Sequence, residues 1–381
     1  MGPLAGVKIV ELAGIGPGPM CAMVLADLGA TVLRVDRPEP AKDLGIPRPL
    51  HANIIMRNRK QVGIDLKKPE GVEAVLKLIE KADGLIEGFR PGVTERLGLG
   101  PDVCLKRNPK LVYGRMTGWG QEGPLAKAAA HDTNYIAITG VLNAIGRKGQ
   151  PPTVPLNLIG DFGGGSMYLA VGMLAGILEA RQSGKGQVVD AAIVDGTLSL
   201  GAQLMGSYGA GIITPDRGEN TSDSGAHYME CYECKDGKYV SVAPIEKRFY
   251  LELCERIGVD PASIGEHTNK ANWEKGKQVF AAKFKEKTRD EWTALLEGTD
   301  SCFAPVLNWG EAPNHPHLKE RNCFVEIEGI VQPVAAPRFS RTVPDMPTPP
   351  QAITPENTEA ALKEWLSADD VAALRATGAL A

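Results

Sequence analysis

Much is scarce in this 381-residue chain, and each scarcity removes a class of function. Positive charge is not in excess: 42 Lys and Arg face 46 Asp and Glu, giving a formal net charge of -4 and a pI near 6.0. That balance argues against nucleic acid or an anionic membrane surface as the main partner. The uncharged stretch Phe162 to Leu178 has 17 residues, fewer than the ~20 a membrane span needs. It opens on Gly163, Gly164 and Gly165 and reads as a buried core helix, so no membrane insertion is expected. The amino terminus MGPLAGVKIVELAG has neither a basic leader nor an Arg-rich amphipathic one, and the terminal ALA is not a peroxisomal address. Seven cysteines, an odd number, are scattered without a signal peptide. They are expected as reduced thiols in a cytoplasmic location. No P-loop is present, which excludes the common nucleotide triphosphatases. Internal repeats and low-complexity tracts are also lacking.

What is there alternates. VKIVEL (7–12), TVLRVD (31–36), QVGIDL (61–66), GLIEGF (84–89) and LVYGRMT (111–117) are strand-like, with helices at Pro19–Leu28 and Glu70–Ala82 between them. Strand–helix repetition gives a largely parallel sheet covered by helices, an α/β first domain. A helix follows near 164–181, and from KGQVVDAAIVDG the texture changes to a small-residue-rich connector. YMECYECKDGKYVSVAP then reads as two strands joined at Lys235–Lys238, followed by amphipathic helices at 246–257, 273–287 and 288–297. Seven prolines between 333 and 355 exclude helix or central strand there. Two helices close the chain, with Thr354 and Ser367 as starts.

Several clusters carry chemistry. Gly14-Ile15-Gly16-Pro17-Gly18-Pro19 joins a strand to a helix, with Asp36 about 20 residues on, as in a dinucleotide fingerprint. Proline at the third glycine position fits a generic turn as well. Arg34, Arg37, Arg57, Arg59, Lys60, Lys67, Arg90 and Arg115 crowd the strand ends, where α/β folds place ligands. Arginine there suits phosphate, and solvated surface charge is the plain alternative. His131-Asp132 is notable because only six histidines exist. Asp161, in NLIGDFGGG, is either a helix N-cap or a carboxylate beside a closely approached ligand. Cys231 and Cys234 form one CxxC on a strand. Residues i and i+3 of a strand point to opposite faces, so joint metal ligation is awkward.

In order along the chain, ELAGIGPGP, DLKKPEG, EGFRPGVTERLGLGP, GRMTGWGQEGP, HDTNY, PLNLIGDFGGGSM, GKGQVVDA, PIEKRFY and APVL resemble the alpha-methylacyl-CoA racemases of the family III CoA-transferase superfamily. The resemblance covers nearly the whole chain and is weakest at 40–55 and beyond about 325. It implies an interlocked homodimer whose subunits have a Rossmann-like large domain and a smaller α+β domain. The large CoA-binding domain would take residues 1–192, with 335–381 returning to it. A helical connector would take 193–225, the small domain 226–321, and a return connector 322–334.

Residue by residue, the resemblance implies that His131 and Asp161 are the two bases. Asp132, Asn157 and Glu246 would support them, with Glu246 reaching the partner subunit's site. Arg37, Asp65, Leu66, Lys67, Gly88, Phe89, Arg90 and Arg115 match positions near CoA, and Tyr135, Gly163 and Gly164 are expected at the substrate. The implied reaction inverts the carbon α to a thioester through an enolate-like intermediate. That needs a base on each face and no metal or other cofactor, CoA entering as part of the substrate. Backbone N–H groups around Gly163 to Gly165 are expected to meet the charge on the thioester oxygen. The chain departs from the family at Ala130, Thr133, Lys247 and Arg248, which bears on the acyl group more than on the chemistry. The alternatives are CoA transfer between acids with Asp161 as nucleophile, a nicotinamide oxidoreductase, and a catalytically silent CoA-thioester binder.

Overall fold

A computed structural model describes residues 2–39 and 46–380. The ends of the expected large domain, Met1 and Ala381, lie outside the described residues. The chain divides into two compact units, one of residues 1–139, 156–200 and 317–381, the other of 140–155 and 201–316. Segment 140–155, expected in the first domain, thus groups with the second. Residues 317–334, expected in the small domain and its return connector, group with the first.

The first unit begins β1 (Lys8–Leu12), α1 (Pro17–Asp27), β2 (Thr31–Asp36), β3 (Lys60–Gly63), α2 (Pro69–Ile79) and β4 (Gly84–Glu87). It continues α3 (Val93–Arg96), α4 (Pro101–Arg107), β5 (Val112–Thr117) and α5 (Asp132–Ile138). After α6 (Val141–Ala144), which belongs to the second unit, come α7 (Tyr168–Ser183), β6 (Gln187–Ala192) and α8 (Ile193–Leu200). The six strands pair in parallel in the order β3-β2-β1-β4-β5-β6.

Alternation along the strands decides which layer each side chain joins. Val10, Leu33, Val35 and Leu85 meet α2 and the chain's last two helices on one face. Ile9, Val32 and Ile86 meet α1 and α7 on the other. β6 was not expected as a strand. It is an edge strand whose first residues are solvent-exposed, so its sequence lacks the continuous apolar run that marks its neighbours.

The expected core helix proves to be buried on one side only. Leu169, Met173 and Ile177 pack against the sheet, while Val171 and Leu178 are 65% and 62% exposed. By length and composition alone Leu158–Ser183 could cross a membrane, and 39% of its most apolar window is buried. Its opening turns, Leu158–Met167, are π-helical.

The second unit holds α9 (Ala202–Gly209), then β7 (Glu230–Glu233) and β8 (Tyr239–Val242) as the expected hairpin. Gly237 turns it at φ +75°, a conformation open to glycine at little cost. Helices α10 (Lys247–Ile257), α11 (Trp273–Phe284) and α12 (Arg289–Leu296) follow, and β9 (Phe303–Pro305) adds a third, unanticipated strand beside β8. Their core is aromatic, built on Tyr232, Tyr250, Phe280, Phe284 and Trp292.

Helix α13 (Pro316–Glu320) leads back to the first unit, where β10 (Phe324–Ile327) and β11 (Ile330–Pro333) form a hairpin in the expected connector. α14 (Pro355–Lys363) and α15 (Ala368–Ala376) start at Thr354 and Ser367, whose hydroxyls accept from Asn357 and Asp370 N–H. Arg57 pins this returning segment. It is buried, pairs with Asp27 at 2.5 Å, and donates to Gln332 Oε1 at 2.9 Å and the Pro333 carbonyl at 2.6 Å. Arg57→Ala leaves a buried carboxylate without its cation and is expected to cost about 3–5 kcal/mol. Denaturant unfolding of the two proteins measures it, and an unchanged midpoint would show that this anchor contributes nothing.

Candidate active site

The strand order reverses between β1 and β4, and ligands of such sheets bind beyond the carboxyl ends of the strands at that crevice. The expected CoA positions other than Arg115, which lies within β5, follow strands at this edge. Arg37 follows β2, Asp65, Leu66 and Lys67 follow β3, and Gly88, Phe89 and Arg90 follow β4. The loops are internally braced. Arg37 N–H donates to Asp36 Oδ1 at 2.7 Å, Lys67 N–H to Asp65 Oδ1 at 3.0 Å, and Phe89 N–H to Glu87 Oε2 at 2.7 Å. Leu66 and Phe89 pack onto the core beneath.

The basic cluster separates by depth. Arg34 and Arg59 are buried on Glu11 at 2.6 and 2.5 Å, Arg57 is taken by Asp27, and Lys60 pairs with Glu364. Arg115, expected near CoA, is also buried, held by Glu87 at 2.9 Å and Glu95 at 2.8 Å. Its guanidinium is committed internally, because an unpaired Glu87 in the sheet would be costly. Arg37, Lys67 and Arg90 are exposed and have no ion-pair partner among the described residues. Glu87 itself went unremarked in the sequence. Burial pushes its carboxyl up to about 7, against the Phe89 N–H and the Arg115 charge. Its signal is a carboxylate closing an otherwise apolar strand.

His131, Asp132, Asn157 and Asp161 come together at α5 and the π-helical turn. Asp132 is buried, and its Oδ2 accepts the Asp161 N–H at 2.6 Å. A side chain at Gly160 would stand 2.5 Å from that same oxygen, so the turn approaches Asp132 only through glycine. Asp161 is half-buried inside the turn, not at an N-cap. Its carboxyl faces Gly16 of the loop after β1, where a Cβ would lie 3.3 Å from Oδ2 and φ is +66°. The glycines after β1 therefore make room for a carboxylate. Burial and the Asp132 charge push Asp161 up to about 6, while a hydrogen bond from Asn157 and the nearby His131 pull it down.

Two expected substrate groups serve otherwise. Gly164 lies against α8, where a side chain would meet Thr197 Oγ1 at 2.5 Å. Gly163 to Gly165 lie inside the π-helical turn, a winding in which N–H groups bond carbonyls five residues back. Tyr135 donates its hydroxyl to the Ala130 carbonyl at 2.6 Å. Glu246 lies in the second unit, exposed, immediately before α10. Cys231 is exposed and Cys234 buried, and no cluster of metal-ligating side chains occurs among the described residues.

The family model for CoA-transferase family III matches residues 4–359. The chain belongs to that family. Among family III relatives, alpha-methylacyl-CoA racemase of Mus musculus is 40% identical over 365 residues, covering 95% of this chain and 93% of its own. Acetyl-CoA:oxalate CoA-transferase of Acetobacter aceti is 28% identical over 345 residues, covering 87% and 88%. A CAIB/BAIF family protein from Brucella suis shares the fold with a TM-score of 0.82 at 24% identity, covering 96% of this chain and all of that one. The resemblance read from the motifs is thus borne out at the family level.

The raised Asp161 carboxyl has a consequence for stability in this family III chain. Its folded pKa, about 6, lies above the unfolded value, ~3.9. Between them the native state binds more protons, so this group's contribution falls as pH rises and stays low above pH ~6. Asp161→Asn removes that decline. The variant's melting temperature relative to wild type is expected to rise between pH ~4 and ~7 and then level off, as read by thermal unfolding. A constant difference would contradict the raised pKa.

Proposed function

We propose that this family III protein is a 2-methylacyl-CoA racemase, inverting the α-carbon of branched acyl-CoA thioesters by two-base proton transfer. The observation that carries the reading is that His131 lies within electrostatic reach of an Asp161 carboxyl pushed up to about 6, on a turn tied to the Asp132 next to His131. One base takes the α-proton as the C–H bond breaks, and its electron pair delocalises onto the thioester as an enolate. The other base returns a proton to the opposite face, so no co-reactant is consumed. Efficient proton transfer wants groups that titrate near working pH, and a carboxyl that keeps its proton to about pH 6 suits this task. Asp132 and Asn157 hold Asp161, one through its N–H and the other through its carboxylate.

Arg37, Lys67 and Arg90 are proposed to bind the phosphates of the CoA moiety. We further propose a homodimer in which Glu246 serves the partner subunit's His131. In support, the first unit leaves Ile138, Val171, Leu178, Val188 and Leu200 exposed, together with the edge strand β6. Apolar surface and an open strand edge of this kind suit burial against a second copy. A branched acyl-CoA substrate would place the enzyme in lipid metabolism.

The decisive measurement is α-deuterium incorporation into 2-methylacyl-CoA thioesters in D2O by mass spectrometry. Label is expected without an acceptor acid or added cofactor. Turnover only when a second carboxylic acid is supplied would establish the transferase reading instead.

Arg90→Ala is expected to raise the KM for the thioester about 10- to 150-fold, the value of a lost charge-assisted hydrogen bond, and to leave kcat nearly unchanged. A collapsed kcat at constant KM would exclude a role in CoA binding.

Co-expression of His131→Ala and Glu246→Ala chains under two tags tests the dimer. Each mutant homodimer is expected to be impaired, and the purified heterodimer to regain about half the wild-type rate. A folded, dimeric but inactive heterodimer would exclude completion of one chain's site by the other.

A further inference from the structure

His131 enters α5 from a loop with little of its own to hold it. The three residues before it, Ala128, Ala129 and Ala130, offer only methyl groups. The backbone of His131 is caught on its helical side by Asn134, whose Oδ1 accepts the His131 N–H at 3.1 Å and whose N–H donates to the His131 carbonyl at 2.8 Å. On the loop side, the Tyr135 hydroxyl donates to the Ala130 carbonyl at 2.6 Å, one peptide before His131.

Tyr135 is itself fixed to the sheet. Its ring meets Trp119 edge-on, with centroids 4.8 Å apart and planes at 81°. Trp119 follows β5, and the preceding Gly118 lies so close beneath the Tyr135 ring that any side chain there would overlap it. A continuous path therefore runs from the carboxyl end of β5 through Gly118, Trp119, the Tyr135 ring and its hydroxyl to the peptide preceding His131. Aromatic pairs of this geometry fix orientation as well as contributing area. The hydroxyl proton is thereby engaged on protein backbone.

We propose that Tyr135 is a positioning residue that ties His131 to the carboxyl edge of the sheet through the Ala130 carbonyl, and not a substrate-binding residue. The proposal rests on the racemase reading for its kinetic consequence, since a misplaced base slows proton transfer without changing how CoA is held.

Tyr135→Phe keeps the ring against Trp119 and removes only the hydroxyl. The expected result is a kcat for α-deuterium exchange reduced roughly 2- to 12-fold, as for a lost neutral hydrogen bond, with KM unchanged. Trp119→Leu removes the wall and keeps the hydroxyl. It is expected to lower kcat in the same way, with Trp119→Phe restoring most of the loss. Amide hydrogen exchange in the peptide spanning 125–138 provides a readout that does not need turnover, and it is expected to quicken in Tyr135→Phe. A raised KM at constant kcat would make Tyr135 a binding residue and overturn the proposal. So would unchanged amide exchange in a folded variant. Failure of wild type to exchange α-protons would defeat the racemase reading alone, and the amide exchange would still decide whether Tyr135 holds this loop.

Discussion

Two backbones touch where a side chain on either would keep them apart. The π-helical turn Leu158–Met167 lies against α8 at Gly164 and Gly196, and a Cβ on Gly196 would collide with the Gly164 carbonyl. A third glycine, Gly160, brings the same turn onto Asp132. The wider π-helical winding carries Asp161 inward from that contact, and the glycine turn after β1 leaves the carboxylate room at Gly16. Placement of the Asp161 carboxyl, the support beneath it and the room beside it therefore depend on one close approach. Gly164, Gly165, Gly196 and Thr197 are all buried at this contact.

Charge in the first unit is sorted by depth. Below the strand ends, Glu11, Asp27 and Glu87 are buried and each is matched by arginine. These pairs cost desolvation and add little net stability, but loss of either partner strands a charge. They also stiffen the loops above them, since Arg34 reaches the Gly14 carbonyl at 3.4 Å and Glu87 takes the Phe89 N–H. Above them, Arg37, Lys67 and Arg90 are exposed and have no carboxylate partner among the described residues. That division separates arginines that build the edge from those able to meet a phosphorylated ligand.

The two carboxylates of the site differ through their surroundings. Asp132 is buried, which raises its pKa, and the N–H groups of Gly160 and Asp161 oppose the rise. Asp161 has Asn157 and His131 to favour its charge, but it bears the repulsion of Asp132 as well as burial. Adjacent carboxyls whose environments push them apart commonly divide labour. Here one holds the backbone while the other remains able to take up a proton near pH 6.

The first five strands, the hairpin at Gly237 and the capped tail helices were legible in the sequence by itself, because each rests on local rules. Apolar runs bounded by turns and hydroxyl caps keep their meaning without distant neighbours, whereas the roles expected of His131 and Asp161 came from the family resemblance. β6, β9 and the β10–β11 hairpin were not legible, since short strands at sheet edges carry no sustained pattern and exist because a partner strand offers hydrogen bonds. The internal partners of Arg115 and of Gly163 to Gly165 were not legible for a related reason. A residue type states what a group can bond, but only the tertiary structure decides which bond is nearest. Arg115 found Glu87 and Glu95, the glycine N–H groups found their own turn, and the Tyr135 hydroxyl found the Ala130 carbonyl.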